Sequence, residues 1–213
     1  MEYLILAILW VAFCALHSAL ISITFTNFIK LKLGDSSRFY RLFYNLFSIA
    51  TLIPVLIYSA SVKQQPFFVW DGYLLPIKYS LLFVGILFFV MGSRNYSFAQ
   101  FSGFAQIRED ARHNLINKTG KLSARGILGV VRHPFYAGIF PLIWSSNLDV
   151  TTLIGNIVLS VYVVIGTLLE ERKLILEFGD AYCEYQQKVS MLFPLKWIKL
   201  KISRWSVIMK MGI

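Results

Sequence analysis

The stretch Gly126-Ile-Leu-Gly-Val-Val-Arg132-His133-Pro134-Phe135-Tyr136-Ala-Gly138 sets an arginine, a histidine, a proline and a tyrosine against the start of an apolar run. Polar side chains in that position carry a desolvation cost, so their presence needs a reason. A second polar knot, Glu170-Glu171-Arg172, stands where the next apolar run ends. One knot is basic and the other acidic. If the two runs are adjacent membrane helices, the knots lie on the same side of the bilayer and read as the walls of one site.

The apolar runs themselves are the scaffold. Tyr3–Phe28, Phe43–Val62, Tyr73–Gly92 and Val150–Leu169 each offer the roughly 20 residues that a membrane-spanning helix needs. Phe135–Leu148 is shorter and is interrupted by Pro141, so it crosses only with help from Gly126–Val131 or in a locally thin bilayer. The expectation is an all-α integral membrane protein with five transmembrane helices. It forms a single domain, with three spans in residues 1–93 and two spans plus a tail in residues 94–213. The first run lacks a basic leader and is too long for a cleaved signal peptide, so it is expected to be a retained anchor.

Composition agrees. Of 213 residues, 57% are hydrophobic and only 15% charged, against about a quarter charged in soluble domains. The net charge of +10 does not point to nucleic acid, because the basic residues lie between and after the apolar runs. With five spans, all of the 21 Lys and Arg except Lys63 and Lys78 fall on one side. The positive-inside rule then puts the N-terminus outside, and both polar knots and the tail in the cytoplasm. Cys14 and Cys183 have no metal-ligand spacing and suggest no disulfide framework, and no metal site is expected.

Local chemistry sharpens the site. Pro134 suits the first turn of a helix, where its missing N–H would be unpaired anyway. His133 then falls at the cap, beside free backbone amides that receive anions. If the fifth helix continues past Glu171, then Ile175, Phe178, Tyr182 and Tyr185 share its face, with a bend at Gly179. An Arg at a span end that snorkels, and a carboxylate pair that is merely a solvated helix end, explain the same residues without chemistry. His17, inside the first span, calls for a structural partner in a neighbouring helix, with Asn45 or Arg41 as candidates. Beyond Pro194, Ile198, Ile202, Trp205 and Met209 fall on one helical face, with Lys196, Lys199, Lys201 and Arg204 elsewhere. That pattern describes a helix lying in the inner membrane interface.

Arg132-His133-Pro134-Phe135-Tyr136-Ala137-Gly138, Glu170-Glu171-Arg172 and Phe178-Gly179-x-x-Tyr182-x-x-Tyr185 occur in that order over the last half of the chain. Together they resemble the membrane methyltransferases typified by isoprenylcysteine carboxyl methyltransferase and shared by phospholipid methyltransferases. His17-Ser18, Arg41-Leu-Phe-Tyr-Asn45, the Asn95–Gln106 stretch and Trp144 look like the methanethiol S-methyltransferase and NnrU-like branch. Leu128 departs from the pattern, standing where that group usually has an aromatic residue.

The resemblance implies a cytoplasm-facing S-adenosyl-L-methionine pocket, closed by the C-terminal helical segment and open laterally to a small or lipophilic methyl acceptor; the compact length and the lack of a targeting segment make a bacterial inner membrane the expected location. It implies cofactor contacts from Gln106, His133, Pro134, Tyr136, Glu170 and Glu171. Catalytic roles fall to His133, as a base, and Arg172, and acceptor contacts to Arg132, Trp144 and Arg172. A sterol-type membrane reductase using NADPH and a non-catalytic NnrU-like membrane protein are the competing expectations.

Overall fold

The computed structural model describes residues 1–94, 102, 104, 107 and 124–210, the last seven of these in backbone only. The first helix, α1 (Glu2–Ile21), buries Leu6, Trp10 and Cys14, a four-residue repeat on one face. The same helix exposes Leu4, Ile8 and Val11, and apolar exposure of this kind recurs on every long helix. Such an outward apolar surface suits lipid rather than water.

The first apolar run is not one helix. At Ser22 the backbone turns extended (φ −61°, ψ 150°), and the Ser22 hydroxyl accepts from Phe25 N–H at 3.2 Å, capping α2 (Ile23–Leu33). A serine able to satisfy the new helix's first amides makes the break inexpensive. A 3₁₀ turn (Gly34–Phe39) leads into α3 (Tyr40–Ser61). Next comes α4 (Leu75–Ser93). After residue 124 the chain forms α5 (Pro134–Trp144), α6 (Val150–Phe178), α7 (Asp180–Lys188) and α8 (Leu195–Lys210). Among the described residues there is no strand, only two isolated bridges.

Among the described residues, four helical stretches are long and apolar enough to cross a membrane: Glu2–Ile21, Ile23–Ser61, Gly72–Ser93 and Val150–Phe178. The predicted fourth span is 11 residues long as α5, so it rises about 16 Å against the ~30 Å of a hydrocarbon core. Its far end is met by the loop between α3 and α4. Phe67 and Phe68 N–H donate to Leu148 O at 2.9 and 3.2 Å, and Trp70 Nε1–H donates to Ser146 O at 3.1 Å. Non-helical backbone at this depth is thus paired by protein, as a bilayer demands.

Helix α5 packs on α4 through glycine. A Cβ on Gly138 would lie 3.0 Å from Gly85 O and 2.9 Å from Phe89, and one on Gly85 would lie 2.5 Å from Leu142. Small residues let two membrane helices approach closely where lipid offers no hydrophobic drive. On the other side, Leu6 and Trp10 of α1 and Val55 of α3 form a core with Ile154 and Val158 of α6.

His17 takes its partners from α3, but not the expected ones. Tyr44 Oη stands 2.6 Å from Nε2 and Ser48 Oγ 3.1 Å from Nδ1. Tyr44 and Ser48 lie one turn apart, so both reach the same ring. Asn45, 100° around the helix, instead donates to Ser102 O at 3.0 Å.

Candidate functional site

Helix α6 has 29 residues and rises about 43 Å, longer than a bilayer core, so its last turns project past the apolar layer and carry Glu170 and Glu171. It stops at Gly179, whose φ of 55° and ψ of −134° favour a residue without Cβ. The chain there doubles back as α7, and Tyr182 and Tyr185 become buried with Leu174 and Val189. The aromatic stripe is therefore real, but it is folded over rather than extended.

Beyond α7, residues 189–192 run beside residues 131–133. Arg132 N–H donates to Ser190 O at 2.9 Å and His133 N–H to Met191 O at 3.2 Å. This strap brings the tail onto the start of α5, where Pro134 is the first helical residue and His133 the cap. The anchor of α8 belongs to the same unit. Lys196 N–H donates to Ser190 Oγ at 2.9 Å, and its ammonium donates to Gln186 O at 2.6 Å and Gln187 O at 3.0 Å.

Glu171 is the hub. Arg132 grips it side-on, Nε to Oε1 and Nη2 to Oε2, both at 2.7 Å. His133 Nε2 is 2.7 Å from Oε1, Tyr182 Oη–H donates to Oε1 at 2.8 Å, and Gln186 Nε2–H donates to Oε2 at 2.5 Å. The Arg132 Nη1 also donates to Gln186 O at 3.1 Å and to Val189 O. A carboxylate only 6% exposed is stable as an anion only with such a complement of donors. Burial, and then the hydrogen bond to this carboxylate, hold the Tyr182 phenol well above its ordinary range.

Glu170 is different. Its carboxylate is 39% exposed, and its Oε2 lies 3.8 Å from Nδ1 of the buried His133. The Tyr136 ring stacks on the His133 ring, with centroids 5.9 Å apart and planes 27° apart. His133 therefore presents one nitrogen to the structural hub and the other to the accessible carboxylate.

The fold brings Arg132, His133, Pro134, Tyr136, Glu170 and Glu171 together. It does not bring Trp144, which ends α5 about 15 Å along the axis from Pro134 and donates through Nε1–H to Ser160 Oγ at 3.1 Å. Arg172 is exposed and makes no hydrogen bond or ion pair among the described residues. Gln106 lies outside the described residues. Sequence reasoning missed Gln186 and the Val189–Leu192 strap. Gln186 follows Tyr182 by four residues, one turn along the same face, which is the signal that was there to read. Leu128, where an aromatic was expected, is buried, and its carbonyl accepts from Tyr185 Oη–H at 2.5 Å.

The chain is 39% identical over 66 residues to a methanethiol S-methyltransferase of Pseudomonas deceptionensis, covering 30% of this chain and 25% of that one. It is 43% identical over 65 residues to methanethiol S-methyltransferase 1 of Bradyrhizobium diazoefficiens, covering 30% and 23%. A protein-S-isoprenylcysteine O-methyltransferase of Schizosaccharomyces pombe is 33% identical over 103 residues, covering 44% and 43%. The chain thus spans about a quarter of the length of the methanethiol enzymes it matches. No solved structure matches. The profile of the NnrU protein family matches residues 4–207, nearly the whole chain, and with its apolar helices and its Arg132–Glu171 hub this integral membrane protein belongs to that family.

Proposed function

We propose that the protein is a membrane methyltransferase using S-adenosyl-L-methionine, with a small thiol as its acceptor. The observation that carries this reading is the pairing of an accessible carboxylate, Glu170, with a His133–Tyr136 ring stack beside a hub that needs no further charge. Arg132 already offsets Glu171, so Glu170 is the residue with negative charge to offer. A free carboxylate and aromatic faces suit a sulfonium cation, so the donor set fits this group. The bound cofactor would supply an electrophilic methyl group. Support also comes from the names of the relatives, which the chain matches over part of its length.

In this reading His133, Pro134, Tyr136 and Glu170 contact the cofactor, with Gln106 added from the segment before the hub. Glu171 and Arg132 become positioning residues that hold His133 and the strap. Nδ1 of His133 is the nitrogen available to take a thiol proton, since Nε2 is committed to Glu171. Trp144 and Arg172, too far away or turned to solvent, are assigned no contact with the reacting atoms. The five-span arrangement, with α5 as a short fourth crossing and the site facing the cytoplasm of a bacterial inner membrane, rests on the basic residues flanking the helices.

Thermal stabilisation of the purified protein by S-adenosylhomocysteine, NADPH or neither separates a methyltransferase from a reductase and from a non-catalytic membrane protein. S-adenosylhomocysteine is the expected stabiliser. Labelled S-adenosylmethionine offered with methanethiol, farnesylcysteine or phosphatidylethanolamine then identifies the acceptor. Transfer to farnesylcysteine alone would favour the isoprenylcysteine reading, which the longer fission-yeast match supports.

A further inference from the structure

Lys196 and Arg132 lean on the same two residues. The Gln186 carbonyl accepts from Lys196 Nζ at 2.6 Å and from Arg132 Nη1 at 3.1 Å. Ser190 accepts twice, its hydroxyl from Lys196 N–H and its carbonyl from Arg132 N–H, each at 2.9 Å. The Gln186 side chain in turn donates to Glu171 Oε2. The first turn of α8 is therefore joined to the Arg132–Glu171 hub by two routes, each one residue long.

Just before α8 the chain dips into the bundle. Leu192 is buried with Ile127, Leu128 and Val131, and Phe88 of α4 and Phe140 of α5 pack against them. The Phe193 ring lies 5.5 Å from that of Phe140. Helix α8 thus starts at the level of the apolar helices, where a bilayer has its edge. Beyond Lys196 it is open. Leu195, Ile198 and Ile202 share one face and are 70%, 42% and 64% exposed. Lys199 and Lys201 flank that stripe, within about 60° of its two edges. Among the described residues, neither lysine has a carboxylate in ion-pair range. No acidic residue stands between Glu184 and residue 213, whereas Lys188, Lys196, Lys199, Lys201, Arg204 and Lys210 all do.

We propose that α8 docks on anionic phospholipid headgroups and that Lys196 transmits this docking to the Arg132–Glu171 hub, so that the charge of the leaflet regulates the site. An apolar stripe between flanking lysines suits a membrane surface. The stripe enters the acyl boundary while the ammonium groups stay with the phosphates. A neutral leaflet offers the stripe the same burial but gives the lysines no net counter-charge, so it holds α8 less firmly. A helix held at the surface keeps Lys196 on Gln186 and Ser190. A helix that swings free withdraws Lys196 from the two residues that position Arg132. None of this depends on which reaction the protein performs.

Hydrogen exchange on the whole chain, in nanodiscs holding one copy each, tests both halves of the proposal. Discs of phosphatidylcholine are compared with discs that also contain phosphatidylglycerol. The amides of α8, and those of residues 132–133 and 189–191, should exchange about fivefold or more slowly in the anionic discs. High salt should remove the difference. Lys199→Gln with Lys201→Gln should remove it too, while Lys199→Arg with Lys201→Arg keeps it. In Lys196→Gln, α8 should still respond to lipid charge, but residues 132–133 and 189–191 should not. Equal exchange in the two kinds of disc overturns the docking. Protection of α8 alone in the unmodified protein, or a strap that still follows lipid charge in Lys196→Gln, overturns the coupling. Inorganic phosphate added to neutral discs should change nothing, and protection by it would overturn the assignment to lipid.

Discussion

Arg132 and Glu171, 39 positions apart in the chain, meet through two parallel hydrogen bonds of 2.7 Å with both side chains 8% exposed. A planar guanidinium laid on a carboxylate is the strongest ion-pair geometry available to side chains. Here it joins the start of α5 to the inner end of α6, and further donors from α7 complete it. The pair orients everything proposed for the site.

Breaking that pair should therefore cost more than removing an ordinary surface bridge. Glu171→Ala leaves a guanidinium buried among the carbonyls of Gln186 and Val189, and the expected loss is about 3–5 kcal/mol. Arg132→Lys keeps the charge but not the two-pronged contact, and should lie between Glu171→Ala and wild type. Thermal denaturation in detergent ranks the three. A Glu171→Ala protein as stable as wild type would remove the hub from its structural role.

Tyr182→Phe deletes one donor to Glu171 while keeping the packing with Leu174 and Tyr185. A hydrogen bond to a buried charge contributes about 1.5–3 kcal/mol, so a smaller but clear drop in melting temperature is expected. Tyr185→Phe removes the donor to the Leu128 carbonyl, a neutral hydrogen bond that contributes about 0.5–1.5 kcal/mol, and should cost less. The reversed order would show that the strap, not the carboxylate, organises α7.

The close contact of α4 and α5 predicts intolerance at Gly138. Gly138→Val places carbon atoms against Gly85 O, a backbone atom that cannot rotate away, and overpacking of this kind costs about 1–3 kcal/mol or more. Gly166→Val, on α6 with no other element among the described residues in reach of its Cβ, should leave stability near wild type. Expression and thermal stability of the two variants side by side decide it, and equal tolerance would contradict the packing.

Among the described acidic groups, only Glu170 combines exposure with contact to His133. Glu170→Ala should weaken S-adenosylmethionine binding about tenfold, the loss expected for a contact of roughly 1.4 kcal/mol. Glu177→Ala, almost two turns further along α6, should do little. Calorimetry that ranked Glu177 above Glu170 would refute the assignment.

The ends of the bundle make the orientation measurable. Tyr58 Oη–H donates to Glu2 O at 3.4 Å, and Thr151 Oγ1–H donates to Val62 O at 3.2 Å. The start of α1, the end of α3 and the start of α6 therefore share one surface, and Lys63 lies beside it. In a background without Cys14 and Cys183, Lys63→Cys and Lys188→Cys should label with an impermeant maleimide from opposite sides. Labelling from the same side would overturn the five-span topology.

The sequence by itself determined the membrane class and the two polar knots, because these depend on local composition. Twenty apolar residues in lipid have few alternatives to a helix, and Arg132-His133-Pro134 can be recognised wherever it lies. It also marked Gly179 as a bend. Only the tertiary structure decided that Ser22 divides the first run, that Tyr44 and Ser48 rather than Asn45 or Arg41 hold His17, and that Glu171 is consumed by Arg132 while Glu170 stays accessible. Each of these turns on an azimuth: neighbouring residues on a helix point about 100° apart. The chain order of Glu170 and Glu171 does not say which one faces the arginine. That choice is made by where α5, α7 and the strap pack, and packing is a property of the assembled bundle.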